Sequence, residues 1–170
     1  FCYGDNNNSD YATCVVMAAD KSHGSAVVFS TTGSAYHTGA TYNTSDDRLM
    51  VAYLSSGDSS SGSNSYKIIS GTMGTKTVTF GSASVVDDGS GGANQADGTD
   101  IASYNPASNV CLVAIENGSE SGDPNYVYAC TVDTSDDSTT VGTGVEFVDT
   151  TVERMQLTYD PDIEKTVLIY

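Results

Sequence analysis

Tyr159-Asp160-Pro161-Asp162-Ile163-Glu164-Lys165-Thr166-Val167-Leu168-Ile169-Tyr170 is one of three stretches built to a single plan. The others are Tyr42-Asn43-Thr44-Ser45-Asp46-Asp47-Arg48-Leu49-Met50-Val51-Ala52-Tyr53 and Tyr104-Asn105-Pro106-Ala107-Ser108-Asn109-Val110-Cys111-Leu112-Val113-Ala114-Ile115. In each, a tyrosine ends one run, Asn or Asp follows, a short polar loop intervenes, and apolar residues resume. Such a pattern reads as a repeated hairpin. Asn43, Asn105 and Asp160 are placed to accept hydrogen bonds from the backbone just ahead, and Pro106 and Pro161 preset a turn dihedral. Asp47, Asn109 and Glu164 stand where the chain must recover its strand, a place for left-handed backbone. The tyrosines Tyr42, Tyr104 and Tyr159 are expected to pack between neighbouring sheets, with carbohydrate stacking as their rival use.

Anchored on Tyr3, Tyr53, Ile115 and Tyr170, the copies recur about every 50 to 60 residues, a period of solenoids, propellers and arrays. Apolar alternation and turn residues divide the middle period into four short strands, Leu49 to Leu54, Tyr66 to Gly71, Thr77 to Val86 and Thr99 to Tyr104. The outer periods match, with Tyr11 to Met17, Ala26 to Ser30 and Gly39 to Tyr42 in one and Tyr126 to Val132, Val141 to Val148 and Arg154 to Tyr159 in the other. No stretch sustains a helical period. The fold class expected is all-β: tandem four-stranded antiparallel blades of β-propeller type, about three in this chain, within a larger propeller or array. The units run 1–50, 51–111 and 112–167, with 168–170 starting another. Three blades are too few to close a ring, since propellers take about four to eight. Either further blades lie outside this stretch, or several chains complete a ring, or the units form an open array.

At these residues the chain resembles a repeat of large structural proteins of marine phages and of other extracellular fibrous assemblies. That repeat follows the pattern Tyr-Asp-Pro-x-x-Asn-Lys-Val-Val-Val-Ala-Tyr, then a Gly/Ser/Asn loop, a Tyr-led strand and a Thr-x-Thr-Phe-Gly strand. Tyr159-Asp160-Pro161 and Lys165-Thr166-Val167-Leu168-Ile169-Tyr170 keep the first element, and Thr77-Val78-Thr79-Phe80-Gly81 keeps the last. The resemblance implies a structural or adhesive role and brings no catalytic residues with it.

Composition agrees with strands and turns. The 170 residues include 11 Tyr, 17 Gly and only 3 Pro, with no Trp. Six Lys and Arg against 22 Asp and Glu give a net charge of -16. A field this negative repels phosphate backbones, which sets nucleic acid and anionic membrane aside as partners. No apolar run approaches the roughly 18 residues of a membrane-spanning helix. The opening Phe1-Cys2-Tyr3 reads as mid-strand, as in a mature piece or fragment of something longer.

Four cysteines fall as two pairs, each within one hairpin. If Ile115 faces Tyr126, Cys111 comes directly opposite Cys130; if Tyr3 faces Tyr11, Cys2 and Cys14 are a step out of register. The pairing expected is Cys2–Cys14 and Cys111–Cys130, in an oxidising, extracellular setting. Buried thiols are the alternative. A zinc site is not indicated, because there is no Cys-x-x-Cys and His23 and His37 lie far from either pair in sequence.

Sequons occur at Asn7, Asn43 and Asn117 and mark glycosylation sites if the chain passes through a eukaryotic secretory route. Asp87, Asp88, Asp97 and Asp100 border one loop that could offer oxygens to calcium, although solvated turns are the plainer account of them and no EF-hand spacing is present. Neither histidine lies in a catalytic motif, there is no Gly-x-Ser-x-Gly elbow, and no carboxylate pair stands out for glycoside hydrolysis. The leading expectation is therefore a non-catalytic structural or adhesive module of an extracellular filament or appendage, on a cell surface or virion, with protein neighbours as partners. Its rivals are a glycan-binding propeller assisted by calcium and a fragment of a polysaccharide-degrading enzyme.

Overall fold

The computed structural model describes residues 1–56, 65–87, 101–117, 126–133, 139–148 and 155–170. Among them there is no α-helix, and the strands curl into a half-barrel. Four antiparallel sheets follow one another along the chain. The first holds β1 (Cys2–Asp5), β2 (Tyr11–Cys14) and β3 (Val27–Ser30). The second holds β4 (Ser34–Asn43), β5 (Arg48–Ser56), β6 (Ser65–Met73) and, both on the far edge of β6, β7 (Val78–Phe80) and β8 (Ser84–Asp87). The third repeats that order with β9 (Ala102–Asn105), β10 (Val110–Asn117), β11 (Tyr126–Asp133), β12 (Thr140–Val141) and β13 (Val145–Val148). The fourth is a hairpin, β14 (Gln156–Asp160) with β15 (Lys165–Ile169).

Two readings of the strands need adjustment. The strand ending at Tyr104 does not pair with the strands before it; β9 lies against β10, so each signature strand opens the sheet that follows it. Strand allegiance is a matter of which backbone lies alongside, and the alternation of side chains carries no trace of it. The strand expected over Thr77 to Val86 is also broken, at Gly81 to Ala83, into β7 and β8, because the pairing along β6 shifts register there.

Burial follows the period of two. Along β5, Met50, Ala52 and Leu54 face the third sheet, and with Tyr66 and Ile68 they meet Ile101, Tyr104, Val113 and Ile115. Val51 and Tyr53 point the other way, and with Ile69 and Val78 they meet Ala12 and Cys14 of the first sheet. Phe29 on β3 stacks edge-on against Tyr53, ring centres 5.2 Å apart, and touches Phe80 at 4.8 Å. A strand covered on both faces reads as an unbroken apolar run, which Leu49 to Leu54 is. Met155 and Leu157 extend the first of these cores into the fourth sheet.

The sheets also touch backbone to backbone. Gly39 of β4 lies so close to the start of β9 that a Cβ there would sit 2.9 Å from Ile101 Cγ1 and 3.0 Å from its amide nitrogen. Ala35 N donates to Asp10 O at 2.9 Å, tying β4 to the first hairpin. Farther out, Ser84 Oγ donates to Thr139 O at 2.5 Å, tying the second sheet to the third.

Candidate functional site

The three signature hairpins share one local chemistry. Asn43 Oδ1 accepts from Ser45 N at 2.9 Å and Asp46 N at 3.1 Å. Asn105 Oδ1 accepts from Ala107 N at 3.0 Å and Ser108 N at 3.3 Å. Asp160 Oδ1 accepts from Asp162 N at 2.9 Å and Ile163 N at 3.4 Å. A side-chain oxygen held to the backbone two and three residues ahead closes the turn without help from the rest of the fold. Each turn then returns to its strand through one left-handed residue: Asp47 at φ 57°, Asn109 at φ 51° and Glu164 at φ 54°. The register repeats as well, with Asn43 opposite Arg48, Asn105 opposite Val110 and Asp160 opposite Lys165.

These turns form a row. Tyr104 Oη donates to Asn109 Oδ1 in its own turn at 2.9 Å and lies 2.7 Å from Ser45 Oγ in the turn before it, a hydroxyl that can donate to it in return. Asn109 Nδ2 reaches Asp46 Oδ2 at 3.4 Å, and Asn105 Nδ2 reaches Glu164 O at 3.5 Å. Thr41 Oγ1 accepts from Tyr104 N at 3.0 Å. The side chains that define the repeat are thereby used to fasten one copy to the next. Tyr42 has the place of Tyr104 one sheet earlier and donates to Asp47 Oδ1. That bond, followed by partial desolvation and the carboxylate's charge, raises the phenol's pKa above its ordinary value of 10.0. Of the three signature tyrosines Tyr104 is buried, Tyr159 is half-buried, and Tyr42 is exposed.

The cysteines divide differently from the reading of the sequence. Both first hairpins pair two residues farther along than their apolar runs suggest: Tyr3 faces Thr13, and Ile115 faces Tyr128. Backbone pairing continues into the polar ends, to Asp5 opposite Tyr11 and Asn117 opposite Tyr126, because ladder bonds do not depend on side-chain polarity. That shift brings Cys2 directly opposite Cys14, with sulfurs at disulfide distance and Cα atoms 4.1 Å apart. The same shift sets Cys111 opposite Val132, and Cys130 opposite Val113, which corrects the expectation that Cys111 faces Cys130. The Cys111 side chain is buried, and that of Cys130 lies outside the described residues.

Of the sequons, Asn7 is exposed on a short 3-10 turn, Asn6–Asn8. Asn43 is buried, its amide nitrogen donating to Asp46 Oδ2 at 2.9 Å. Asn117 ends β10, its side chain outside the described residues. Of the acidic loop, Asp87 ends β8, while Asp88, Asp97 and Asp100 lie outside the described residues. Among the described residues no three His, Cys, Asp or Glu gather as metal ligands. Sequence reasoning passed over a shallow cleft of about 730 Å³ beside the first sheet, lined by Tyr3, Val15, Met17, His23 and Ala26. His23 Nδ1 there lies 2.9 Å from Gly24 O.

No protein-family model, curated protein or solved structure matches the chain.

Proposed function

We propose that this chain is a non-catalytic structural or adhesive repeat module of an extracellular filament or appendage, on a cell surface or virion, in which each sheet acts as a propeller-type blade. The observation that carries this reading is the contrast between interior and outermost sheets. Tyr53 is 1% exposed because the first sheet covers it, whereas Tyr3, its counterpart in the first sheet, is 39% exposed. At the far end Ile169, the counterpart of Ala52, is 54% exposed. Faces of a kind that pack against the next sheet inside the molecule are thus exposed on the first and fourth sheets, and such faces suit packing against further units of the same kind, in the same chain or in a neighbour.

The chemistry of the repeat agrees with a building block. Its recurring polar side chains are consumed in holding turns and joining sheets, and the Cys2–Cys14 pair suits an oxidising compartment. The test is sedimentation with electron microscopy of the purified chain across concentration. Rings or filaments whose repeat matches the sheet spacing are the expected result. A chain that stays monomeric at its highest soluble concentration, or one that turns over a polysaccharide, contradicts the proposal.

A further inference from the structure

Two hairpins of this chain carry a pair of cysteines, and their registers treat the pairs differently. In the first sheet Cys2 faces Cys14, Cα atoms 4.1 Å apart, so the bond fits the ladder that β1 and β2 make. In the third, Cys111 faces Val132 and Cys130 faces Val113. Those two cysteines are therefore diagonal neighbours on one face of the sheet. Diagonal neighbours lie about 7 to 8 Å apart at Cα, beyond the roughly 4.4 to 6.8 Å that a disulfide spans. The spacing of Cys111 and Cys130 fits a different ladder, with β11 displaced by two residues along β10. There Cys111 faces Cys130, Val113 faces Tyr128 and Ile115 faces Tyr126. A slip of two keeps every residue on its own face, because strands alternate with a period of two. It also ends the two apolar runs together, and it releases only Glu116 and Asn117 of β10 from their present partners Val127 and Tyr126.

We infer that the third sheet has two registers, and that oxidation of Cys111 and Cys130 to a disulfide selects the second. One cysteine thiolate attacks glutathione disulfide and displaces one glutathione, and the other cysteine then displaces the second. One protein S–S bond forms and one glutathione S–S bond breaks. The cysteines lose two electrons to glutathione, and their two protons end on its two thiols. Because Cys111 is buried, the reaction waits on opening of the hairpin. What travels with β11 gives the switch its reach. β12 and β13 pair with β11, Val141 opposite Val132 and Val145 opposite Ala129, so they move with it by about 7 Å. Thr139, just before β12, is buried where it meets the second sheet. Its carbonyl accepts from Ser84 Oγ at 2.5 Å, and its hydroxyl lies 3.0 Å from the same oxygen. That joint opens in the oxidised form, so the state of the two cysteines sets whether the second and third sheets are tied there.

The test is solution NMR of the 170-residue protein, first in a glutathione buffer that leaves Cys111 and Cys130 as thiols and then with excess glutathione disulfide. Peptide mapping by mass spectrometry without reduction follows the bonds. Oxidation is expected to join Cys111 to Cys130 and to replace the cross-strand contact of Asn117 with Tyr126 by that of Ile115 with Tyr126. Exchange at the Glu116 and Asn117 amides should quicken at least about tenfold, while contacts between β1 and β2 stay as they are. A Cys130→Val protein should keep Asn117 opposite Tyr126 at every glutathione ratio. Failure of the bond to form, a bond formed with Asn117 still opposite Tyr126, or Ile115 opposite Tyr126 before oxidation each overturns the inference. So does a Cys130→Val protein that changes register on oxidation.

Discussion

Tyr104 Oη sits 2.7 Å from Ser45 Oγ, so a phenol belonging to the third sheet fastens a turn belonging to the second. Its counterpart Tyr42 bonds within its own turn. Tyr104→Phe should therefore destabilise the protein by about 1 kcal/mol, since the link between the two turns is lost, and Tyr42→Phe, at an exposed position, should cost less. Urea unfolding monitored by circular dichroism measures both. Equal losses would mean that the bond across the turns adds nothing.

Left-handed backbone is costly for any residue with a Cβ, and of the three residues that need it here Glu164 is the least suited. Glu164→Gly should stabilise by about 1 kcal/mol, because the turn keeps its bonds to Asp160 while the steric cost is removed. Asn109→Val should lose at least that much, through the strained backbone and the missing bond to Tyr104. Thermal unfolding of the two variants checks the opposite signs.

These turns were the most legible part of the sequence because their bonds reach only two or three residues ahead. Asn43, Asn105 and Asp160 carry the signal in their own side chains. The partner of β9 was not legible, since Ala102 to Asn105 alternates the same way whether it pairs backward or forward along the chain. Nor was the register of the cysteines, which turns on how far the ladder runs into Gly4-Asp5 and Glu116-Asn117, where side chains are silent about backbone pairing.

Cys2 and Cys14 close a loop with a sequence separation of 12. Reduction, or replacement of both by Ser, should cost about 3 kcal/mol through the freed unfolded chain. The loss should fall first on β1 and β2 and leave β10 and β11 little changed at low denaturant. Mass spectrometry after mild alkylation identifies the bonded pair, and hydrogen exchange locates the loss.

Tyr42 should ionise above the ordinary tyrosine range because Asp47 accepts its proton, with desolvation and the carboxylate's charge adding to the same direction. A folded-state pKa raised above the unfolded value means that this bond's contribution is fully present below about pH 10 and is lost as pH climbs through the folded value. Absorbance titration near the phenolate band, compared between the protein and its Asp47→Asn variant, should show one tyrosine moving down. No change on removing the carboxylate would refute the assignment.

Gly39 leaves no room for a side chain against Ile101. Gly39→Ala should destabilise by about 1 to 3 kcal/mol, as overpacking does where backbone is the obstacle. Tyr53→Ala, at a site covered by the first sheet, should cost about 3 to 5 kcal/mol. The exposed Tyr36 replaced in the same way should cost about 1 kcal/mol or less. Equilibrium unfolding of the three separates packing between sheets from surface contacts.

The sheets are held to cover one another in sequence, so that protection is greatest in the middle of the row. Amide exchange on the dilute, monomeric protein measures this residue by residue. Met50 to Leu54 and Ile68 to Ser70 should be the last to exchange, with Cys2–Asp5 and Lys165–Ile169 among the first. Equal protection along β1, β5 and β15, or rapid exchange in β5, would contradict a fold whose strength comes from one sheet lying over the next.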